Sequence, residues 1–149
     1  MAEHVTLRDL GVTLTCGFSD RQAAIRVEDV ATDTVIADVA VRTTPGGYYV
    51  FGIYNYDASP LIQHVSIVVE TTDHTAYGIY NDDSSPTIRD ATVACKGNSW
   101  SSYAIYSSHS SPIIQDAFIT AEADSWGRGV HNLESSPIIQ NSTISATTF

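Results

Sequence analysis

The feature that most constrains the fold is a sequence repeat of about 26 residues. A Ser-Ser-Pro tripeptide, with one Ala-Ser-Pro variant, marks each copy, and its four prolines are separated by 26, 26 and 25 residues. The copies read FGIYNYDASPLIQHVSIV from Phe51, YGIYNDDSSPTIRDATVA from Tyr77, YAIYSSHSSPIIQDAFIT from Tyr103 and RGVHNLESSPIIQNSTIS from Arg128. A longer copy from Ala23 and a partial copy from Val5 precede them. The chain is therefore expected to fold as a repeat protein.

Equivalent positions of the copies form columns of β-branched residues, and apolar residues alternate at period two within each run. That alternation is typical of β-strands. Three short strands in each repeat, stacked at the ~4.8 Å strand spacing, predict an all-β parallel β-helix of about five coils of 25–28 residues. Residues 1–149 are expected to form a single β-helix domain. The columns are Ile53/Ile79/Ile105/Val130, Ile36/Ile62/Ile88/Ile114/Ile139 and Val41/Ile67/Val93/Ile119/Ile144.

The corners between the predicted strands have characteristic residues. Asp38, His64, Asp90, Asp116 or Asn141 separates the second strand from the third, and Asp and Asn tolerate the left-handed conformation of a sharp corner. The Ser-Ser-Pro motif separates the first strand from the second. The third corner varies in length and composition, and variable loops are where a solenoid usually carries its function.

Coils of this length with an Asp or Asn corner resemble the right-handed parallel β-helix of the pectin-lyase-like superfamily, over roughly residues 5–147. The resemblance concerns the fold. It implies a substrate groove along the first-strand face, but it implies no particular activity, because the superfamily contains lyases, hydrolases, esterases, phage tailspikes and non-catalytic scaffolds.

Composition and charge exclude several partners. Seven Lys and Arg against 17 Asp and Glu give a net charge of −10, which argues against nucleic acids and anionic membrane surfaces. No apolar run approaches the ~20 residues of a membrane span, and the N-terminal sequence has no signal-peptide pattern. The sequence leaves the localisation undetermined, with an extracellular or surface-associated location favoured.

An aromatic strip on the first-strand face is the main candidate for a binding site. A residue that follows the inward isoleucine must point outward, and residues before it, such as Gly52 and Gly78, are expected to form a small outward floor. Aromatic rings stack on sugars, so the strip predicts a non-catalytic module that binds carbohydrate. Two alternatives stay open: a ladder that only stabilises a scaffold without a ligand, and a subunit interface. The candidate ligand-binding residues are Tyr54, Tyr80, Tyr106, His131, Trp100 and Trp126.

A column of acidic residues follows the first strand and supports an alternative function. Asp57 and Asp83 are expected about 5 Å apart on neighbouring coils, a separation that suits a retaining pair of carboxylates. With Glu134 they are the candidate catalytic residues of a polysaccharide lyase or glycoside hydrolase. The Gly-His-Gly and Arg-Ile-Lys segments of polygalacturonases do not occur, however, so solvated turn residues are the favoured interpretation. Calcium held by Asp57, Asp82 and Asp83 is the only cofactor alternative, and their spacing matches no calcium motif.

The remaining expectations concern zinc, disulfides and assembly. The five histidines lack zinc-site spacing, and Cys16 and Cys95 are expected on coils too far apart for a disulfide. A β-helix exposes unpaired backbone at its terminal coils, and no amphipathic helix pattern closes either end. The sequence therefore predicts a homo-oligomer, either a trimer packed along its sides or an end-to-end dimer.

Overall fold

A computed structural model of the chain describes residues 5–17, 20–29, 33–72, 74–98 and 100–149. In these residues the regular elements are all β-strands, which pair in parallel and wind into a β-solenoid of about five turns, as predicted. No helix that could cross a membrane occurs in the described part of the chain. The strands are β1 (Thr6–Leu14), β2 (Arg21–Glu28), β3 (Val35–Thr43), β4 (Tyr49–Tyr56), β5 (Leu61–Gln63), β6 (Ser66–Thr71), β7 (Thr75–Asp82), β8 (Thr87–Arg89), β9 (Thr92–Gly97), β10 (Ser101–Ser108), β11 (Ile113–Gln115), β12 (Phe118–Ala123), β13 (Trp126–Leu133), β14 (Ile138–Gln140) and β15 (Thr143–Thr148).

The strands form two sheets. The first strands of successive coils make a five-stranded sheet in the order β13-β10-β7-β4-β2. The second and third strands make a ten-stranded sheet in which the stacks β14-β11-β8-β5 and β6-β9-β12-β15 join at β3, while β1 pairs with the other edge of β3. In the first two coils the second and third strands are continuous through their corner, so β1 and β3 are each one strand of nine residues.

The register places equivalent residues of the repeats directly over one another. Ile53 pairs with Ile79, Ile79 with Ile105 and Ile105 with Val130. The isoleucines of all three columns are fully buried in the central coils. At the last coil, by contrast, Ile139 is 39% exposed and Ile144 is 42% exposed, because no described strand covers them. Stacking of like on like is therefore what builds the core.

Both tight corners of each coil use the left-handed conformation. Asp38, His64 and Asp90 have φ between 48° and 54°, as the sequence predicts for this corner. The corner after the first strand behaves in the same way at Asp57 and Asp83, with φ of 46° and 49°. Short polar side chains tolerate this conformation better than β-branched ones do. Turn geometry thus accounts for the Asp, Asn and His residues at both corners, whereas Glu134 adopts the same conformation without that preference.

The two serines of the Ser-Ser-Pro motif form hydrogen bonds in opposite directions along the solenoid. The Ser84 hydroxyl accepts the backbone N–H of Ala58 from the preceding coil and donates to its own chain at the Asp82 carbonyl. The Ser85 hydroxyl accepts the N–H of Ser111 from the following coil. The motif therefore satisfies corner N–H groups that have no strand partner.

An asparagine ladder runs inside the five-stranded sheet. Asn55 and Asn81 are fully buried, and Asn55 Nδ2 donates to Asn81 Oδ1 at 2.9 Å. Asn81 Nδ2 then donates to the Ser107 hydroxyl at 3.3 Å. The ladder thus bonds both ends of the Asn81 amide and the Nδ2 of Asn55, while the buried Oδ1 of Asn55 has no partner among the described residues.

The prediction that Gly52 and Gly78 form an outward floor is wrong. A Cβ at Gly52 would lie 2.6 Å from Ile67 Cγ2, and one at Gly78 would lie 2.4 Å from Val93 Cγ1. Ile67 and Val93 belong to the core, so both glycines face inward. β4 and β7 therefore each have two successive inward positions, glycine and isoleucine, where simple alternation would allow only one.

Candidate functional site

The predicted aromatic strip exists as a ladder of parallel rings. The rings of Tyr54 and Tyr80 are 5.2 Å apart at 3°, and those of Tyr80 and Tyr106 are 4.9 Å apart at 2°. The strand register brings these residues together, because each tyrosine pairs with the next along the five-stranded sheet. Three of the six candidate ligand-binding residues thus form one continuous stack.

A second aromatic column, which the sequence analysis missed, lies beside the first. Phe51 stacks on Tyr77 at 4.9 Å and Tyr77 on Tyr103 at 5.2 Å. Rings of the two columns meet edge to face, as Tyr77 does with Tyr80 at 5.2 Å and 87°. The repeat did carry a signal for this column, because the copies that begin at Phe51, Tyr77 and Tyr103 each have an aromatic residue three positions before the predicted tyrosine. We call the six rings together the aromatic ladder.

The rings of the aromatic ladder cover one another's faces. Tyr80 lies between Tyr54 and Tyr106 and also meets the edges of Phe51 and Tyr77, so it is only partly exposed. Burial is the main reason that the pKa of Tyr80 rises to about 12 and that the pKa of Tyr77 rises further. The ladder therefore presents ring edges and neutral hydroxyl groups, rather than open ring faces, to a ligand.

Basic side chains close both ends of the ladder. The Arg26 guanidinium lies 4.9 Å from the centre of the Tyr54 ring and forms an ion pair with Glu28 at 2.7 Å. At the other end Arg128 lies over Tyr103 at 5.6 Å. His131, another predicted ligand-binding residue, is 5.0 Å from the Tyr106 ring. Burial, and then the charge of Arg128, lowers the pKa of His131.

The two tryptophans at the variable corner carry the open aromatic surface. The Tyr48 ring lies 4.6 Å from that of His74 at a tilt of 38°, and His74 stacks on Trp100 at 5.2 Å. Trp100 is nevertheless 54% exposed and Trp126 is 56% exposed. No ring contact joins these two indoles in the described part of the chain. Within the predicted site, Trp126 and the face of Trp100 that does not lie against His74 are the aromatic surfaces that remain accessible.

The acidic column does not bring its three candidate catalytic residues together. Asp57, Asp83, His109 and Glu134 occupy equivalent corners with positive φ, so His109 separates Asp83 from Glu134. His109 Nε2 lies 3.1 Å from Glu134 Oε2. Asp57 and Asp83 remain neighbours on adjacent coils, as predicted. Burial, followed by the nearby charge of Asp83, raises the pKa of Asp82.

Neither a metal centre nor a disulfide is present in the described residues. Among them, no three His, Cys, Asp or Glu side chains are arranged to hold a metal ion, and this includes the predicted calcium ligands Asp57, Asp82 and Asp83. Cys16 and Cys95 are both free thiols. Cys95 is fully buried in the core, and burial raises the pKa of its thiol.

Comparison of the chain with protein families, with curated proteins and with solved structures gives no match.

Proposed function

We propose that this chain is a non-catalytic β-helix module of the pectin-lyase-like type that binds carbohydrate through Trp100 and Trp126. The main support is the exposure of the two indole rings at the variable corner, where each side chain is more than half accessible. Together with His74 and Tyr48, Trp100 forms a contiguous aromatic patch on the surface, and such patches mark ligand or partner sites. A flat indole face packs against the C–H groups of a sugar ring, and its N–H donates to a hydroxyl.

The aromatic ladder supplies a second set of contacts in this proposal. The hydroxyl groups of Tyr54, Tyr80 and Tyr106 repeat at the coil spacing of about 4.8 Å and remain protonated at neutral pH. Because the rings are held by stacking, they lose little conformational entropy on binding. A polymer with regularly repeated hydroxyl groups matches such an array.

The charge of the chain narrows the ligand class. Its net charge of −10 disfavours polyanionic ligands. Neutral polysaccharides are therefore the expected ligands, with His131 and Arg128 as polar contacts at one end of the ladder.

Affinity electrophoresis in gels that contain neutral polysaccharides tests the proposal. The double variant Trp100→Ala/Trp126→Ala should lose roughly tenfold in affinity, as expected for the loss of central aromatic contacts. Tyr80→Phe/Tyr106→Phe keeps the stacked rings and should weaken retention less. Ile113→Ala is the control, because Ile113 is 36% exposed on β11 of the ten-stranded sheet, away from the site. Equal retention of the tryptophan variant and the wild type would contradict the proposal.

Incubation of the protein with the same polysaccharides distinguishes the alternative functions. A polysaccharide lyase or glycoside hydrolase that uses Asp57, Asp83 or Glu134 would release reducing ends or unsaturated sugars, and Asp83→Asn would abolish this activity. A scaffold without a ligand would show neither retention nor cleavage.

A homo-oligomer also remains a proposal. The exposed Phe118 on the ten-stranded sheet suits a trimer packed along its sides, and the uncovered Ile139 and Ile144 suit an end-to-end dimer. Light scattering that finds only a 16 kDa species at micromolar concentration would contradict both.

A further inference from the structure

The two exposed indoles of the proposed carbohydrate site differ in what supports them. The Trp100 ring lies against the His74 ring, with centres 5.2 Å apart and planes 17° from parallel. Trp126 makes no ring contact with any residue that the structure describes. Both side chains are nevertheless more than half exposed. One face of the Trp100 indole is therefore covered by the protein itself, while the rest of the ring meets solvent.

His74 is the middle ring of a short column at the variable corner. Tyr48, His74 and Trp100 each come directly before one of the paired strands β4, β7 and β10, so they lie on three successive coils. The Tyr48 and Tyr49 rings lie 4.6 Å and 5.9 Å from the His74 ring. His74 is accordingly only partly exposed. Tyrosine rings on one side and the indole on the other hold the imidazole in place.

We propose that His74 is a positioning residue, a role that rests on the proposed function: it fixes the orientation of the Trp100 indole and leaves one face of that ring open to a sugar. An exposed side chain that no neighbour holds changes rotamer within nanoseconds. Ordering such a side chain on binding costs conformational entropy, and an indole that is already fixed in the free protein avoids this cost. Trp100 should therefore bind a sugar ring more tightly with His74 beside it than without it.

The role belongs to the flat ring of His74 and not to its nitrogen atoms. The equivalent position one coil earlier carries Tyr48, so a six-membered aromatic ring fits this column. His74→Phe keeps a flat ring against Trp100 and should preserve the orientation of the indole. His74→Gln keeps hydrogen-bonding groups without a ring, and His74→Ala has neither. Both of these variants should therefore release the indole.

Time-resolved fluorescence anisotropy tests the positioning role without any polysaccharide. The chain has two tryptophans, so Trp126→Phe leaves the Trp100 indole as the only emitter of its kind. In this background we expect a small amplitude of nanosecond motion, which grows in His74→Ala and His74→Gln but not in His74→Phe. His64→Ala is the control, because His64 is an exposed histidine at another corner, between two aspartates. Unchanged motion of the indole in His74→Ala would overturn the proposal.

A double-mutant cycle tests whether His74 acts on binding through Trp100. Affinity electrophoresis uses two neutral polysaccharides, hydroxyethylcellulose and galactomannan. His74→Ala should weaken retention by about threefold to tenfold, the cost of ordering one side chain, and His74→Phe should restore it. In the Trp100→Ala background the same substitution should have no further effect, whereas in the Trp126→Ala background its effect should be complete. Equal losses with and without Trp100 would contradict the positioning role.

The outcomes separate this proposal from the proposed function. If Trp100→Ala/Trp126→Ala abolishes retention while His74→Ala leaves it unchanged, the carbohydrate site stands and the role of His74 is refuted. If the wild type is retained by neither polysaccharide, the proposed function and the role of His74 in binding both fail, whatever the anisotropy shows. Far-UV circular dichroism checks the fold of each variant. Should His74→Ala fail to fold, the comparison of His74→Gln with His74→Phe decides in its place.

Discussion

Burying an amide group costs free energy unless the group is hydrogen-bonded, and Asn81 forms such bonds with the coils on either side. Its Oδ1 accepts from Asn55 and its Nδ2 donates to Ser107, at the same position one coil before and one coil after. The bonds exist only if the coils are stacked in register. Asn81 is therefore a sensitive reporter of the stacking.

We expect Asn81→Ala to destabilise the fold by about 2–4 kcal/mol, because it leaves the Asn55 amide without an acceptor and creates a cavity. Asn132→Ala is the matched control: Asn132 occupies the same column at the exposed last coil, and its loss should change stability by less than about 0.5 kcal/mol. Urea unfolding measures the free energy of unfolding of both variants. Equal effects of the two substitutions would contradict the ladder.

The tyrosines of the aromatic ladder predict a loss of stability at alkaline pH. The pKa of Tyr80 is about 12 in the folded chain and about 10 when unfolded. The pKa of Tyr80 is higher in the folded chain than in the unfolded chain. The contribution of Tyr80 to the free energy of unfolding is therefore complete below about pH 10 and is lost as the pH rises towards 12. Tyr80→Phe, which keeps the ring, should reduce this loss.

Absorbance of tyrosinate and the unfolding midpoint, followed together with increasing pH, check that prediction. Tyr48 is exposed outside the ladder and Tyr48→Phe provides the control, with a pH dependence like that of the wild type. If Tyr80→Phe loses as much stability between pH 10 and pH 12 as the wild type does, the stacking does not bury the Tyr80 hydroxyl.

At the scale of the strand, the two successive inward positions, Gly52–Ile53 in β4 and Gly78–Ile79 in β7, set which side chains face outward. Glycine and the following isoleucine both face the core, so residues three apart, such as Tyr77 and Tyr80, share the outer surface. The second column of rings, which contains Phe51 and Tyr77, follows directly from these two successive inward positions. The width of the aromatic ladder is thus a property of the strand's conformation.

Gly78→Ala should destabilise the chain by about 1–3 kcal/mol, because the new Cβ would lie 2.4 Å from both the Ala104 carbonyl oxygen and Val93 Cγ1. Gly11→Ala in β1 is the control, since nothing lies within 4 Å of its added Cβ. Thermal unfolding compares the two. A Gly78→Ala variant as stable as Gly11→Ala would contradict the inward orientation of Gly78.

The sequence predicted the strands and their inward columns well, but not the packing of the first strand. Ile67 and Val69, like their equivalents in the other coils, are two residues apart, and that period is sufficient to place them inside. Two successive inward positions leave no such periodic signal, so the glycines were assigned to the wrong side and the ring of Tyr77 was missed. The covered faces of the tyrosines were likewise not predictable from position alone, because they depend on the ring orientations of neighbouring coils.

At the scale of the whole molecule, stacking makes each coil depend on its neighbours. The central coils bury their isoleucines completely, while the last coil leaves Ile139 and Ile144 exposed on one side. Stability in such solenoids is approximately the sum of coil and interface contributions. The ends are therefore expected to open before the centre, with hydrogen exchange fastest in 138–148.

The central claim is that successive copies of the repeat lie directly over one another. One column contains Gln140, Gln115, Arg89, Gln63 and Arg8, with Arg8 five coil steps from Gln140. Pulsed electron paramagnetic resonance between a spin label at Gln140 and one at each other position tests it most directly. The solenoid predicts separations that grow by about 4.8 Å per coil, to about 24 Å at Arg8. Separations that do not rise in even steps with the number of repeats would contradict it.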